Sequence, residues 1–343
     1  MITVLNKKYQ KDQVLSSLNF IKQSDQVFSA SLSQEDIERF NFSEIKIIEE
    51  NNELITFINL NFNVQENDII YSHADYVESL FHILKKFKFQ NIKVISSQSD
   101  RKITKNLFNQ MPKCVSSWYA TNVVYKTDSL IPIPLGIAPY RNSKSAIIDD
   151  FIDLEFQQTK RKFMYFNFNL NTNYFHRTKA IDFARKIFDI QLVEDKNYQD
   201  YLSSLALHQF SISPWGNGID THRFWEALYC GTIPITKSHY IYETFEGLPM
   251  ILLPTYKGLN KLNKEIKFDQ FNIEKLDINW WMKQIKKEEV EHIVDKTRVQ
   301  ITDVQLTLIE NNFYKLRNRN KRKKRIFTLL RKLHQKISIL HKI

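Results

Sequence analysis

The chain has 343 residues, 43% of them hydrophobic, with 49 Lys and Arg against 38 Asp and Glu and two cysteines. That length and apolar content support a core and roughly two domains, which excludes a disordered string. Cys114 and Cys230 have no C-x-x-C spacing, which excludes a disulfide framework and a thiolate metal site and fits a reducing compartment.

No uncharged apolar run reaches about 18 residues, and the N-terminal "MITVLNKKYQKDQ" has no apolar signal core, so the sequence predicts neither secretion nor membrane spanning. The net charge of +11 is local, because 12 basic residues lie in Phe313–Ile343, after Glu310, the last acidic residue. Without them, 37 basic residues face 38 acidic ones and the body is nearly neutral.

In chain order, the first 60 residues carry the weakest pattern, short apolar runs between Asn-rich turns. At "NDIIYSHADYVESLFHILKKFKFQNIKVISSQSD" a strand over Asp68–Ser72 leads to a helix with Val77, Leu80, Phe81 and Leu84 inward, then to a strand over Ile92–Ser96. This reads as a βαβ unit. "CVSSWYATNVVY" reads as a further strand, and the three prolines and Gly136 of "SLIPIPLGIAPY" close the first half. A linker is placed near 140–158. The second half repeats the alternation: strand "KFMYFNFNL", helix "HRTKAIDFARKIF", strand "DIQLVED", helix "YQDYLSSLAL" and strand "HQFSISP". Alternating β and α elements predict an α/β fold with covered parallel sheets and ligands at the carboxyl ends of strands.

"SISPWGNGIDTHRFWEALYCGTIPIT", Ser211–Thr236, holds three of the six glycines, Gly216, Gly218 and Gly231. Pro214 ends the strand, and Gly216 and Gly218 allow backbone close to a ligand. Asp220 or Thr221 can cap the helix "THRFWEALYC", which stops at Gly231 before the strand "TIPIT". Phe224, Ala227 and Leu228 share one helix face, leaving His222, Arg223 and Glu226 on the other side or at the loop end. A helix start, an arginine and a glycine loop with Asn217 suit a diphosphate, with Glu226 accepting from sugar or ribose hydroxyls. An Arg223–Glu226 surface pair on an ordinary helix is the plainer reading. The glycine loop, Asp220, Trp215 and Trp225 favour a site.

This stretch resembles the nucleotide-sugar motif of exostosin-like glycosyltransferases, which pairs a proline and glycine loop with an Arg-x-x-Glu-Ala-Leu helix and a Gly-x-x-Pro strand. Arg223, Glu226, Ala227, Leu228, Gly231, Ile233 and Pro234 carry the match. A weaker similarity links the stretch to the donor motif of α-1,3-fucosyltransferases. Neither covers the first 60 residues or the tail. The resemblance implies a GT-B fold, with two Rossmann-like domains facing a cleft, donor in the C-terminal one and acceptor facing the N-terminal one. The expected division is an acceptor-side domain over 1–145, a nucleotide-sugar domain over 155–290, and C-terminal helices with the tail over 291–343.

No Asp-x-Asp motif is present, and the acidic cluster Asp149, Asp150 and Asp153 reads as solvated charge in the linker. No metal or other cofactor is expected beyond the nucleotide-sugar co-substrate, and its leaving diphosphate falls to Arg223, the helix start and Arg177, Lys179 or Lys237. His176 and Arg177 sit in a second strand-end loop, or equally at a solvated helix start. His73 and Asp75 in "YSHADY" are the candidates for a general base, although Asp75 also suits a helix cap with Glu78 in capping-box spacing.

In the tail, Ile326, Leu329, Leu330, Leu333, Ile337 and Leu340 recur at helical spacing beside "RNRNKRKKR". This basic amphipathic helix either lies on an anionic membrane surface or packs on the body. No aromatic platform accompanies the charge, so no specific nucleic acid is expected. Two functional readings follow. One is a cytosolic glycosyltransferase, peripheral on the inner membrane face, acting on a lipid-linked or surface-polysaccharide acceptor. The other is a non-catalytic nucleotide- or polyanion-binding membrane-surface protein.

Overall fold

Runs of β-branched and aromatic residues bounded by Asn, Gly and Pro become strands, and the segments of helical apolar spacing between them become helices. The computed structural model describes residues 1–51, 53–88, 90–141, 145–152, 154, 162–188, 197–287 and 296–340. The predicted strand over 189–195 and Asp153 lie outside them, as do 142–144 and 155–158 of the predicted linker.

The first half contains β1 (Ile2–Val4), β2 (Lys7–Tyr9), α1 (Ser17–Lys22), β3 (Gln26–Leu32), α2 (Gln34–Phe40), β4 (Ile45–Glu50), β5 (Ile55–Asn59) and β6 (Asn61–Val64). It continues through β7 (Ile69–His73), α3 (Val77–Leu84), β8 (Ile92–Ser97), α4 (Lys105–Phe108), β9 (Val115–Ala120) and β10 (Leu130–Pro132). These build a seven-stranded sheet in the order β10-β9-β8-β7-β3-β5-β4, parallel from β10 to β3 and antiparallel at β5 and β4. The least patterned region of the sequence thus supplies β3, inside the sheet.

The second half contains β11 (Lys162–Tyr165), α5 (Tyr174–Phe188), α6 (Tyr198–Ala206), β12 (His208–Ile212), α7 (His222–Tyr229), β13 (Ile233–Lys237) and β14 (Ile251–Leu253), followed by α8 (Ile278–Lys286), β15 (Thr297–Gln300) and α9 (Asp303–Leu340). β11 to β14 form a four-stranded parallel sheet in sequence order. The molecule is therefore mixed α/β with a large, mainly parallel sheet.

Burial follows the apolar spacing. Val77, Leu80, Phe81 and Leu84 of α3 are fully buried, and each such side chain contributes about 1.5–3 kcal/mol over an exposed one. β15 pairs antiparallel with β6 in a separate two-stranded sheet, which returns the chain to the first half. α9 starts there and runs along both halves. Phe313 stacks on Tyr76, Arg317 pairs with Glu49 at 2.6 Å, and Phe327 and His334 meet Phe175 edge-on. Its other face, with Ile326, Leu329, Leu330, Leu333 and Ile337, is 50–62% exposed. One face of the helix packs on the body, as the packed reading of the tail expects, and the other is exposed. The side chain of Leu340 lies outside the description. No described helix is long and apolar enough to cross a membrane.

Candidate functional site

The stretch 215–231 splits into two parts that do different things. Its larger part is a seam between the sheets. Asp220 accepts from the Leu135 amide at 2.8 Å, the Thr221 amide at 2.9 Å and the Trp225 indole at 2.9 Å. His222 bonds the Gly136 carbonyl through Nδ1 at 2.7 Å, and the Ile219 amide donates to Asn122 at 2.9 Å. Asn217 donates to Asp100 at 3.1 Å. Thr221 is the N-cap of α7 by backbone geometry, but its hydroxyl makes no capping bond.

Two sequence expectations change here. Glu226 does not project toward a ligand: it is 1% exposed, and its carboxylate accepts from the Ala146 amide at 3.0 Å and the Tyr201 hydroxyl at 2.7 Å. It is likewise no surface partner of Arg223. The reason is that α7 is buried on both sides, from Phe224 to Tyr229, because it lies between the sheets. Gly218 does not make room for phosphate, since a methyl there would stand 2.4 Å from the side-chain oxygen of Asn122. Gly231 fits its expected role, with φ of 61° just beyond the C-terminus of α7.

The smaller part gathers charge at strand ends of the small sheet. The loop after β11 brings Arg177, in the first turn of α5, against the loop after β12. Arg177 is 6% exposed and donates to the carbonyls of Asn169 at 2.7 Å and Trp215 at 3.2 Å. Asn173, in the left-handed region at φ 52°, donates to the Gly216 carbonyl at 2.8 Å and so ties the α5 start to the glycine loop. A methyl on Gly216 would lie 3.4 Å from the Arg177 guanidinium. Arg223 approaches the same place from α7, donating to the Asn167 carbonyl at 2.5 Å with its guanidinium 5.3 Å from the Tyr201 ring centre.

Among the described residues, neither guanidinium makes an ion pair. Burial first, and the Arg223 charge second, pull the pKa of Arg177 down to about 10. Burial pulls that of Arg223 down too, but the Tyr201 hydroxyl and the Glu226 carboxylate more than offset it and leave it raised. Two near cations sharing one partly compensating carboxylate form a place where an anion is favoured.

Around this pair, buried polar atoms lack partners. Ser213 Oγ, just past β12, and both ring nitrogens of His176 make no hydrogen bond, while the buried Tyr256 hydroxyl lies beside Thr236 Oγ1 in β13. His176 stacks on Trp215 at 5.1 Å and 8°, and Lys237 Nζ sits 5.3 Å from the Trp215 ring centre. Desolvation first, then Lys237, Arg177 and Lys179, lower the His176 pKa to about 4, so its ring is neutral near pH 7. A buried polar group left unmatched costs about 1–3 kcal/mol, so such a cluster marks a place that a ligand or water completes. Ser213, Thr236 and Tyr256 were not singled out from the sequence. The polar residues ending "SISP" and "TIPIT" at carboxyl strand ends were the available signal for the first two.

On the large sheet, His73 and Asp75 follow β7 as expected, but they differ. His73 is buried, its Nδ1 accepts from the Asp75 amide at 3.2 Å, and desolvation lowers its pKa. It orders the turn. Asp75 accepts from the Ser99 hydroxyl at 2.7 Å and lines a cavity of about 300 Å³ with Glu49, Phe313, Arg317, Asn320, Lys321 and Lys324. Asp150 pairs with Arg141 and Asp149 with Lys11. Among the described residues, no group of three or more His, Cys, Asp or Glu side chains can hold a metal ion. No protein-family model matches the chain, and a search of curated proteins finds no match.

Proposed function

We propose that the protein is a glycosyltransferase of GT-B-like, two-domain build that transfers a sugar from a nucleotide-sugar donor. The observation that carries this reading is the pair Arg177 and Arg223, two guanidiniums free of ion pairs among the described residues, the first beside Gly216 and the second on the Asn167 carbonyl, at carboxyl strand ends. As the bond from the sugar to the diphosphate breaks, negative charge grows on the leaving oxygen. Preorganised cations in a desolvated setting stabilise that charge by about 3–4 kcal/mol for one donor group. Trp215 offers a ring face, and Ser213 offers an unspent hydroxyl to the nucleoside or the sugar. Glu226 holds Arg223 and Tyr201 in place and is a positioning residue.

The acceptor, a lipid-linked or surface-polysaccharide glycan, enters on the β7 side, where Asp75 is the base that takes the hydroxyl proton. The enzyme works as a peripheral protein on the inner face of an anionic membrane. The exposed stripe of α9, with Arg and Lys on its flanks, supports that placement, since apolar burial and ~1 kcal/mol per nearby cation both favour the surface. The test is nucleotide release from a panel of UDP, GDP and CMP sugars. Release from one donor, abolished in Arg223→Ala, is expected. No release across the panel, with normal donor binding in Arg177→Ala and Arg223→Ala, overturns the reading. The same exposed stripe favours a second reading, a non-catalytic polyanion binder, which forecasts liposome binding without nucleotide release.

A further inference from the structure

The cavity over Asp75 has a wall that the donor site does not use. Its basic side comes from the tail helix, because Arg317, Lys321 and Lys324 lie one turn apart along α9 and face β7 together. Arg317 is matched by Glu49, whereas Lys321 and Lys324 make no ion pair among the described residues. Beside them Tyr76 is 1% exposed, stacks on Phe313 at 5.2 Å, and has a hydroxyl with no hydrogen-bond partner. That hydroxyl feels the charges of Asp75, Glu49 and Arg317, three of the groups that line the cavity. The cavity therefore offers the Asp75 carboxylate and two ammonium groups that pair with no acid among the described residues.

We propose that this cavity is the acceptor subsite and that its occupant is a sugar phosphate, with the phosphate on Lys321 and Lys324 and a ring hydroxyl on Asp75. The inference rests on the transferase reading for its chemistry and on the cavity alone for its binding. In the reaction the acceptor oxygen bonds to the anomeric carbon of the donor while its proton passes to the Asp75 carboxylate. The bond from that carbon to the diphosphate breaks, and its electron pair leaves on the nucleoside diphosphate at Arg177 and Arg223. A neutral glycan would leave both lysines unmatched, and a bare phosphate would leave Asp75 without a hydroxyl. A sugar phosphate matches both.

Calorimetric titration of the full chain with glucose 1-phosphate, methyl α-glucoside and inorganic phosphate tests this. Glucose 1-phosphate is expected to bind at least tenfold tighter than either other probe, and Lys321→Ser with Lys324→Ser to weaken it at least tenfold. Lys323→Ser with Lys332→Ser, which removes the same charge elsewhere on α9, is expected to change it less than twofold. Equal binding of methyl α-glucoside or equal loss in the charge-matched control overturns the proposal. A long-chain alkyl ester of the same sugar phosphate in neutral phosphatidylcholine vesicles separates the sources. Tighter capture of the ester, lost with the two lysines, marks a lipid-borne acceptor, and equal capture a free one. Binding of neither form overturns the subsite. Failure of the donor panel is read on nucleotide release and does not enter this titration.

Discussion

At the stretch from Trp215 to Glu226, two sets of polar groups with opposite histories meet. Asp220, His222 and Glu226 spend their hydrogen bonds on Leu135, Gly136 and Ala146 and fasten the small sheet to the large one. Around the same loop, Arg177 and Arg223 carry charge that no acid pairs among the described residues, and His176 and Ser213 carry polar atoms that no described donor or acceptor meets. Groups whose valences are filled from within the chain are architecture, and groups left short are where chemistry is to be sought.

Substitution on each side sharpens that contrast. Arg223→Ala and Arg177→Ala are each expected to lower turnover of the accepted donor by about 3–4 kcal/mol of transition-state stabilisation, with a smaller change in unfolding free energy than Glu226→Ala. Arg223→Lys recovers turnover only in part, because an ammonium lacks the planar fork. Steady-state kinetics beside denaturant unfolding checks both, and normal turnover in both alanine variants breaks the contrast. Glu226→Ala strands the Ala146 amide and the Tyr201 hydroxyl, so a stability loss of about 2–4 kcal/mol is expected in denaturant unfolding. A stable Glu226→Ala protein with weakened donor binding would move Glu226 to the ligand side.

The glycines separate the sides by size alone. Gly218→Ala presses on Asn122 and is expected to destabilise by about 1–3 kcal/mol, with relief when Asn122→Gly is added. Gly216→Ala meets the Arg177 guanidinium at 3.4 Å and the Thr221 and Thr172 methyls at 3.5 and 3.7 Å, near ordinary contact, and affects donor affinity more than melting temperature. The smallest effect is pH-dependent. His176 holds fewer protons folded than unfolded between about pH 4 and its ordinary value near 6.5. Stability therefore falls as pH drops through that window, by about 1–2 kcal/mol for this partly exposed ring, and His176→Gln flattens the slope. An unchanged slope would show that another group titrates there.

Much of the layout was legible in the sequence. The strands at Ile69, Ile92, His208 and Ile233 and the helix at Val77 lie within a residue or two of their predicted bounds, because apolar spacing records burial directly. Arg223, Arg177 and Asp75 stand at strand or helix ends, as predicted. What the sequence did not disclose is which partner each polar group finds. The contacts of Asp220, His222 and Glu226 span 80 to 86 residues, a separation that periodicity does not encode. β3 escaped because Ser29 and Ser31 interrupt its apolar run, yet these hydroxyls bond Ser72 and Thr56 inside the sheet. The basic tail was visible as a charge run, but its approach to Asp75 depends on where β15 delivers the chain.

One continuous helix carries both the exposed stripe and the lysines over Asp75, and this makes α9 a gauge of height. From Lys321 to Leu330 a helix rises about 14 Å without a joint, so a bilayer gripping the stripe fixes the level of the cavity. A phosphate held on that level offers only the hydroxyls of its own first sugar to Asp75. Once one of them has been glycosylated, the new terminus lies farther from the phosphate and out of the base's reach. The expected behaviour is distributive: one sugar is added per encounter, the product is released, and chain length is counted by geometry.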